Sequence, residues 1–471
     1  MSAAPSLLDK TLRQLKRAWR LTSVAHKDDD IKSQVAPGLP ESDLPVVRSQ
    51  VDACLESRGG EVSARARAAR LGEMYLDLND EGRERFLRLL AVDYDVPMDS
   101  VEALVEQWRE ASDKTARWEA QAKLRRALEP PRMRLLRQFN ELDSGVKFLV
   151  DLRAYLRKVA GKNKAMKALD SDLRDLLTSW FDIGFLDLQR ITWDTPAALL
   201  EKLIEYEAVH AIKSWDDLKN RLMEDRRCFA FFHPRMPDEP LIFVQVALVK
   251  GMSGDVHTLL DESAPLEDPA AADTAIFYSI SNCQSGLAGV SFGNFLIKRV
   301  AKELARDLPN LKAFATLSPI PGFSQWLREA LDNAPEQFDS GAVPPVILEK
   351  TGFGEWPGAL RKLLEDHDSW TSDDAVQEAI RPLLARACAD YLLNAKRGGR
   401  ARDPVAHFHL SNGARVERLN WMGDRSAEGM KRSAGMMVNY LYALDDVDAN
   451  HEAYTGDGEV KAANAVARLL K

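Results

Sequence analysis

The chain has 471 residues, 45% of them hydrophobic and 29% charged, with a formal net charge of −8. This is the make-up of an ordinary globular protein of two or three domains, and the charge balance argues against a general nucleic-acid binder. No apolar run reaches the roughly eighteen residues of a membrane-spanning helix. The four cysteines, Cys54, Cys228, Cys283 and Cys388, stand in no C-x-x-C spacing, so they read as reduced thiols of a cytoplasmic protein rather than a disulfide framework or a zinc site.

The N-terminus is basic and amphipathic but lacks the apolar core of a secretory signal. A structural helix is expected over Leu7–Leu21, with an organelle presequence as the other reading. His26–Asp43, carrying DDD and APGLPESD, is a polar connector. Between about Leu44 and Leu188 apolar residues recur at three- and four-residue spacing, which predicts helices over Ser63–Tyr75, Asp80–Val92, Met98–Gln121 and Met133–Leu156. Pro130–Pro131 separates the last two. The basic runs Arg65–Arg70 and Lys123–Arg126 read as solvated helix faces. Residues 1–188 thus read as a helical bundle for assembly or support, without a catalytic cluster.

After Leu188 the character changes. A helix opens at Asp194 or Thr195 with Pro196 at its first turn, and Ser214–Met223 is another. Cys228–Phe232 and Leu241–Val249 are predicted strands around the turn HPRMPDEP, where His233 caps a loop. Asp255–Asp273 is an acidic surface loop. Ala275–Ile280 is the next strand, and Gly286 and Gly289 break it. From Phe292 a helix carries Phe292, Phe295, Leu296, Val300 and Leu304 as its apolar positions. The strand after it ends at Ser318. A turn between strand and helix gathers backbone N–H groups and the positive end of the helix dipole, which suits phosphate. The following strand returns Ser318 to the sheet edge where ligands of α/β units bind. A plain βαβ unit with a glycine-relieved turn is the alternative.

Gln325–Ala334, Gly358–Asp366 and Asp373–Leu393 are predicted helices of an insertion, either a lid or a peripheral layer. Asn394–Pro404 is a basic loop. Val405–Leu410 is expected to be a strand with His407 and His409 on one face, followed by an Asn412–Gly413 turn and a return strand over Val416–Trp421. Met430–Ala443 is expected to be the last long helix, carrying Asn439, Tyr440 and Tyr442. Asp445–Gly458 is polar, and Glu459–Leu470 is a short helix. The fold class expected is α+β, a helical N-terminal domain (1–188) before an α/β domain with a mixed sheet (189–471). On the residues alone, the two histidines could be a metal pair lacking a third ligand, Ser318 a turn hydroxyl, Tyr442 a core tyrosine, and Cys228 and Cys283 small buried apolar residues.

GVSFGNFLIKRV (Gly289–Val300) and LSPIPGF (Leu317–Phe323), preceded by EPLIFVQVAL and followed by DPVAHFHLSNGA (Asp403–Ala414), resemble the malonyl-CoA decarboxylase family. The resemblance spans roughly Ile191 to Tyr442. It implies a catalytic domain related to GNAT-type acetyltransferases, malonyl-CoA as substrate and no metal or redox cofactor. It implies Ser318 and His409 as catalytic residues, His407 as a weaker candidate, and Tyr442 near the site. It also implies that Ala288, Gly289, Val290, Ser291, Phe292, Gly293 and Asn294 contact the CoA moiety. Some members carry glutamate where this chain has Ser291. The rival readings are a CoA-dependent acyltransferase on the same scaffold, a serine hydrolase (though no G-x-S-x-G elbow is present) and a non-enzymatic acyl-CoA-binding assembly protein. A homo-oligomer, dimer or tetramer, formed through the helical domain is expected, with no nucleic-acid or membrane partner.

Overall fold

The computed structural model describes Trp19 and residues 34–56, 60–181, 183–290, 296–339 and 341–471. Apart from Trp19, the expected first helix lies outside the described residues. The chain divides into two compact units. One holds Met1–Asp187 together with Phe232–Leu241 and Cys283–Ser291; the other holds Leu188–Phe231, Ile242–Asn282 and Phe292–Lys471.

The first unit is helical, as its periodicity predicts. Its helices are Leu44–Leu55, Gly60–Asp77, Asp80–Asp93, Met98–Glu110, Lys114–Ala127, Arg132–Asn140, Gly145–Val159 and Lys164–Trp180. Two predicted helices are each divided. Met98–Gln121 breaks where Asp113 caps a new helix by accepting from the Ala116 amide at 2.9 Å. Met133–Leu156 breaks at Ser144, which sits in the left-handed region at φ 55°. Phe148 anchors the core, with ring centroids 5.0 Å from Phe139 and 5.7 Å from Tyr75. Fully burying one such side chain stabilises the fold by about 1.5–3 kcal/mol. The hairpin tip in this unit is closed by His233, whose Nδ1 accepts from the Arg235 amide at 3.1 Å.

The second unit is built on a mixed sheet. The described strands of the chain are β1 (Asp187–Ile191), β2 (Arg226–His233), β3 (Met236–Val249), β4 (Thr274–Asn282), β5 (Ala313–Thr316) and β6 (Ser318–Pro319), with β7 (Lys396–Arg397) and β8 (Arg400–Ala401) as a separate hairpin, and then β9 (Arg415–Asn420) and β10 (Met437–Leu441). The main order is β1-β2-β3-β4-β5-β10-β6, with β9 beside β10. β4 and β5 run parallel, and β10 is antiparallel to β5, β6 and β9. The helix Leu296–Asp307 connects β4 to β5 and buries Leu296, Val300 and Leu304, the stripe read from the sequence. Phe292 and Phe295 lie outside the described residues. The insertion is helical over Phe323–Asn333, Trp356–Glu365 and Asp374–Leu393, with a further helix, Pro345–Thr351, between the first two.

Several expectations are corrected here. Val405–Leu410 is not a strand but the middle of a helix, Pro404–Ser411. Asp403 accepts from the amides of Val405 and Ala406 at 2.9 Å each, and Pro404 takes the first helical position, where its missing N–H costs nothing. This local cap overrides the β-like alternation of His-Phe-His. Val416–Trp421 is strand β9 as expected, but its partner is β10. Met430–Ala443 is not one helix: Ala427–Ser433 is helical, Ala434 and Gly435 turn left-handed, and β10 follows. The polar Asp445–Gly458 stretch is largely a helix, Val447–Asp457.

Candidate functional site

Three side chains the sequence singled out meet at β10. Antiparallel register sets Ser318 opposite Val438 and Ala315 opposite Leu441, so Thr316 and Ser318 share a sheet face with Val438, Tyr440 and Tyr442. Between the paired positions the ladder is closed by side chains. The Tyr440 amide donates to Thr316 Oγ1 at 3.1 Å, and Asn439 Nδ2 donates to the Thr316 carbonyl at 2.7 Å.

The helix Pro404–Ser411 brings His409 onto that face. Its Nε2 is 3.1 Å from Ser318 Oγ, and its Nδ1 is 2.8 Å from the Tyr442 hydroxyl. The imidazole stacks on Tyr440, with centroids 4.6 Å apart. His409 is only 3% exposed and Ser318 5%. Burial pushes the His409 pKa down from 6.5 to about 3, so the ring is neutral at physiological pH. Burial also raises Tyr442 well above the ordinary tyrosine range, which keeps its proton in place. One proton assignment satisfies these groups together. Ser318 donates to Thr316 Oγ1 at 2.8 Å, His409 donates from Nε2 to Ser318, and Tyr442 donates to the bare Nδ1. His409 is thus a neutral ring, far below the ordinary histidine range, and not a charged acid.

His407 does not share a face with His409. Two residues apart on a helix they diverge, and His407 Nδ1 meets the Tyr454 hydroxyl at 2.8 Å instead. Among the described residues no cluster of three or more His, Cys, Asp or Glu side chains is placed to hold a metal ion.

Ser318 and His409 face a cavity of about 240 Å³. Its remaining wall is mostly apolar, formed by Val209, Phe277, Tyr278, Ile280, Leu317, Pro319, Pro404, Val405 and Phe408, with Asn282 as a further polar group. Such a lining suits a small acyl group, with a hydroxyl and an imidazole as its polar contacts. The sequence reading missed Asp403. Its carboxylate caps the His409 helix and also accepts from the Gly322 amide at 3.2 Å, four residues past Ser318. The signal was present as Asp-Pro at a helix start.

In the helical unit, Ser285–Leu287 makes one tight turn after β4. Ala288 and Gly289 are exposed and Val290 is buried. Gly289 has φ 78°, a conformation side chains rarely adopt, while a Cβ on Gly286 would meet the Val150 carbonyl at 1.8 Å. Ser291, Phe292, Gly293 and Asn294 lie outside the described residues.

The chain matches the family model for the malonyl-CoA decarboxylase C-terminal domain over residues 184–471 and that for the N-terminal domain over residues 94–181. It is 40% identical over 360 residues to the mitochondrial malonyl-CoA decarboxylase of Anser anser anser, covering 74% of this chain and 71% of that protein. It is 39% identical over 363 residues to the mitochondrial malonyl-CoA decarboxylase of Rattus norvegicus, covering 75% and 73%. The crystal structure of malonyl-CoA decarboxylase from Rhodopseudomonas palustris aligns with a TM-score of 0.80 at 43% identity, over 90% of this chain and 99% of that one.

Proposed function

The chain belongs to the malonyl-CoA decarboxylase family, and we propose that it converts malonyl-CoA to acetyl-CoA and CO2 without a metal, through an enolate held and protonated with the help of Ser318 and His409. The observation that carries this reading is the 3.1 Å contact of Ser318 Oγ with His409 Nε2 at the wall of the cavity.

Decarboxylation breaks the bond from the α-carbon to the carboxylate. The electron pair moves into the thioester, and negative charge gathers on its oxygen. The thioester is itself the electron sink, so no further cofactor is needed. A donor held at that oxygen is worth about 2.7–4 kcal/mol of barrier, and Ser318 supplies it by turning its hydroxyl from Thr316 toward the cavity. Ser318 then passes its proton to the α-carbon while the His409 Nε2–H is shared with the oxygen left behind, and a proton from solvent entering the cavity restores the pair, with Tyr442 keeping its own proton on Nδ1. Proton transfer by positioned groups of this kind contributes roughly 10²–10⁴-fold. The CoA moiety contacts residues 288–294, a role supported by the exposure of Ala288 and Gly289 and the left-handed backbone at Gly289.

The test is purified chain with malonyl-CoA in chelator and without an acceptor. Acetyl-CoA and CO2 in equal amounts are expected, and His409→Asn or Ser318→Ala should abolish most turnover while the fold persists. Free CoA with malonate would mark a hydrolase. No reaction until an amine or alcohol is added would mark the acyltransferase alternative. Wild-type turnover in both variants would leave the Ser/His assignment untenable.

A homo-oligomer formed through the helical region is part of the same proposal. The helices Met98–Glu110 and Lys114–Ala127 bury only Val101 and Ala120 and leave Met98, Trp108 and Trp118 exposed. Light scattering on the full chain tests it, with a monomer as the opposing result. A cytoplasmic location is also proposed; the four free, buried thiols suit a reducing compartment. Fractionation tests it, with the mitochondrial matrix as the opposing outcome. Among the described residues no helix is long and apolar enough to cross a membrane.

A further inference from the structure

One face of the helix Gly145–Val159 is committed to the turn that follows β4. Arg153, 2% exposed, donates from Nη1 to the carbonyls of Gly286 at 2.7 Å and Ala288 at 3.0 Å. Its Nε is anchored on Asp170 Oδ1 at 2.9 Å. One helical turn further on, Arg157 donates to the Ser285 carbonyl at 2.9 Å. One turn before, Val150 presents its carbonyl so closely to Gly286 that only glycine fits. Three carbonyls of the turn are thus drawn toward one helix.

The consequence follows from the planarity of the peptide unit. In a trans peptide the carbonyl and the N–H of the next residue point in opposite directions. Holding the Ala288 carbonyl against Arg153 therefore turns the Gly289 N–H away from the helix. Gly289 is exposed and has φ 78°, and its amide donates to nothing among the described residues. A buried guanidinium is costly unless its hydrogen bonds are satisfied. Here those bonds fix the direction of a donor that the guanidinium does not itself touch.

We propose that Arg153 is a positioning residue for the nucleotide part of the substrate: by clamping the Ala288 carbonyl it presents the Gly289 N–H to a phosphate oxygen of the CoA diphosphate. This rests on the reading of residues 288–294 as the CoA contact.

The experiment compares malonyl-CoA with malonyl-pantetheine, a thioester that lacks the nucleotide, in steady-state kinetics. Arg153→Lys supplies one charged centre and cannot bridge two carbonyls and Asp170. It should raise KM for malonyl-CoA about tenfold, the worth of one hydrogen bond to a charged group, with kcat unchanged and KM for malonyl-pantetheine unchanged. Asp170→Asn should shift the same ratio in the same direction by less, and it carries the test if Arg153→Lys does not fold. An equal change for both thioesters, a fall in kcat alone, or no change would overturn the proposal. Gly289→Ala separates the two layers. If it lowers the preference for malonyl-CoA and the Arg153 and Asp170 variants do not, only the role of Arg153 fails. If none of the three alters that preference, the turn is not the nucleotide contact and the underlying reading fails with it.

Discussion

The carboxylate of Asp403 is bonded to the Gly322 amide at 3.2 Å through Oδ2 while Oδ1 caps the helix that carries His409. One buried side chain therefore ties the turn after Ser318 to the start of the histidine helix. Asp403→Asn keeps an oxygen for the cap but offers an amide nitrogen, a donor, to the Gly322 N–H. Burial already raises the Asp403 pKa, so removing the charge also relieves a desolvation cost. The expected result is a folded protein with little change in Tm and a kcat lowered about 10- to 100-fold at unchanged KM. Asp403→Ala should in addition lose the cap, about 0.5–2 kcal/mol of stability by denaturant titration. Wild-type kcat in Asp403→Asn would show that this link does not set the site geometry.

Tyr442 and Tyr440 both contact His409 but should respond differently to loss of the hydroxyl. Tyr442 satisfies Nδ1, so Tyr442→Phe leaves a buried nitrogen without a partner. A stability loss of about 1–3 kcal/mol and a fall in kcat should accompany it. The Tyr440 hydroxyl is buried with no hydrogen-bond partner among the described residues, and the contact it offers His409 is the face of its ring. Tyr440→Phe should therefore be neutral or slightly stabilising, whereas Tyr440→Leu should destabilise by losing the stacked ring. Equal effects of the two Phe variants on Tm and kcat would refute the distinction.

The contrast between what the chain reveals locally and what it hides shows at particular residues. The stripe Leu296, Val300, Leu304 is legible because burial and helical period coincide. The break at Ala434–Gly435 was missed because the apolar residues of 430–443 fit a helical period almost as well as a short helix followed by a strand. The helix at Pro404 is hidden because the His-Phe-His alternation mimics a strand, while the Asp403 cap that decides the matter is a single residue. Ser318 and His409 are 91 residues apart, so no spacing rule could have paired them. Their pairing came from the resemblance of LSPIPGF and FHLSNGA, and the helix Pro404–Ser411, which sets His409 between Ser318 and Tyr442, supplies the physical reason. The brace from Arg153 to residues 286 and 288 is likewise invisible in sequence, since its donor and acceptors lie more than a hundred residues apart.

The depressed pKa of His409 makes a prediction about acid stability. In the unfolded chain the ring takes a proton near pH 6.5; in the folded chain it does so only near 3. The unfolded state therefore binds more protons throughout that window. Stability is fully present above about pH 6.5 and falls as pH drops toward 3, by up to about 1.4 kcal/mol per pH unit for this one group. His210, pushed down to about 4 by burial, adds to the fall in the same direction. Urea unfolding at pH 7, 6 and 5 should give a shallower decline for His409→Asn than for the wild type. Parallel declines would mean that His409 titrates normally in the fold.

Thr316 offers the last separation of structure from chemistry. Its Oγ1 accepts from both the Tyr440 amide and the Ser318 hydroxyl. Thr316→Val preserves shape and removes that acceptor. The buried Tyr440 amide then loses its partner, at a cost of about 1–3 kcal/mol, which denaturant titration would read as a lower midpoint with an unchanged m-value. Ser318 keeps its contact with His409, so kcat should fall by less than tenfold while stability drops measurably. A collapse of kcat comparable to that in Ser318→Ala would mean that the threonine, and not the histidine alone, sets the hydroxyl's direction toward the substrate.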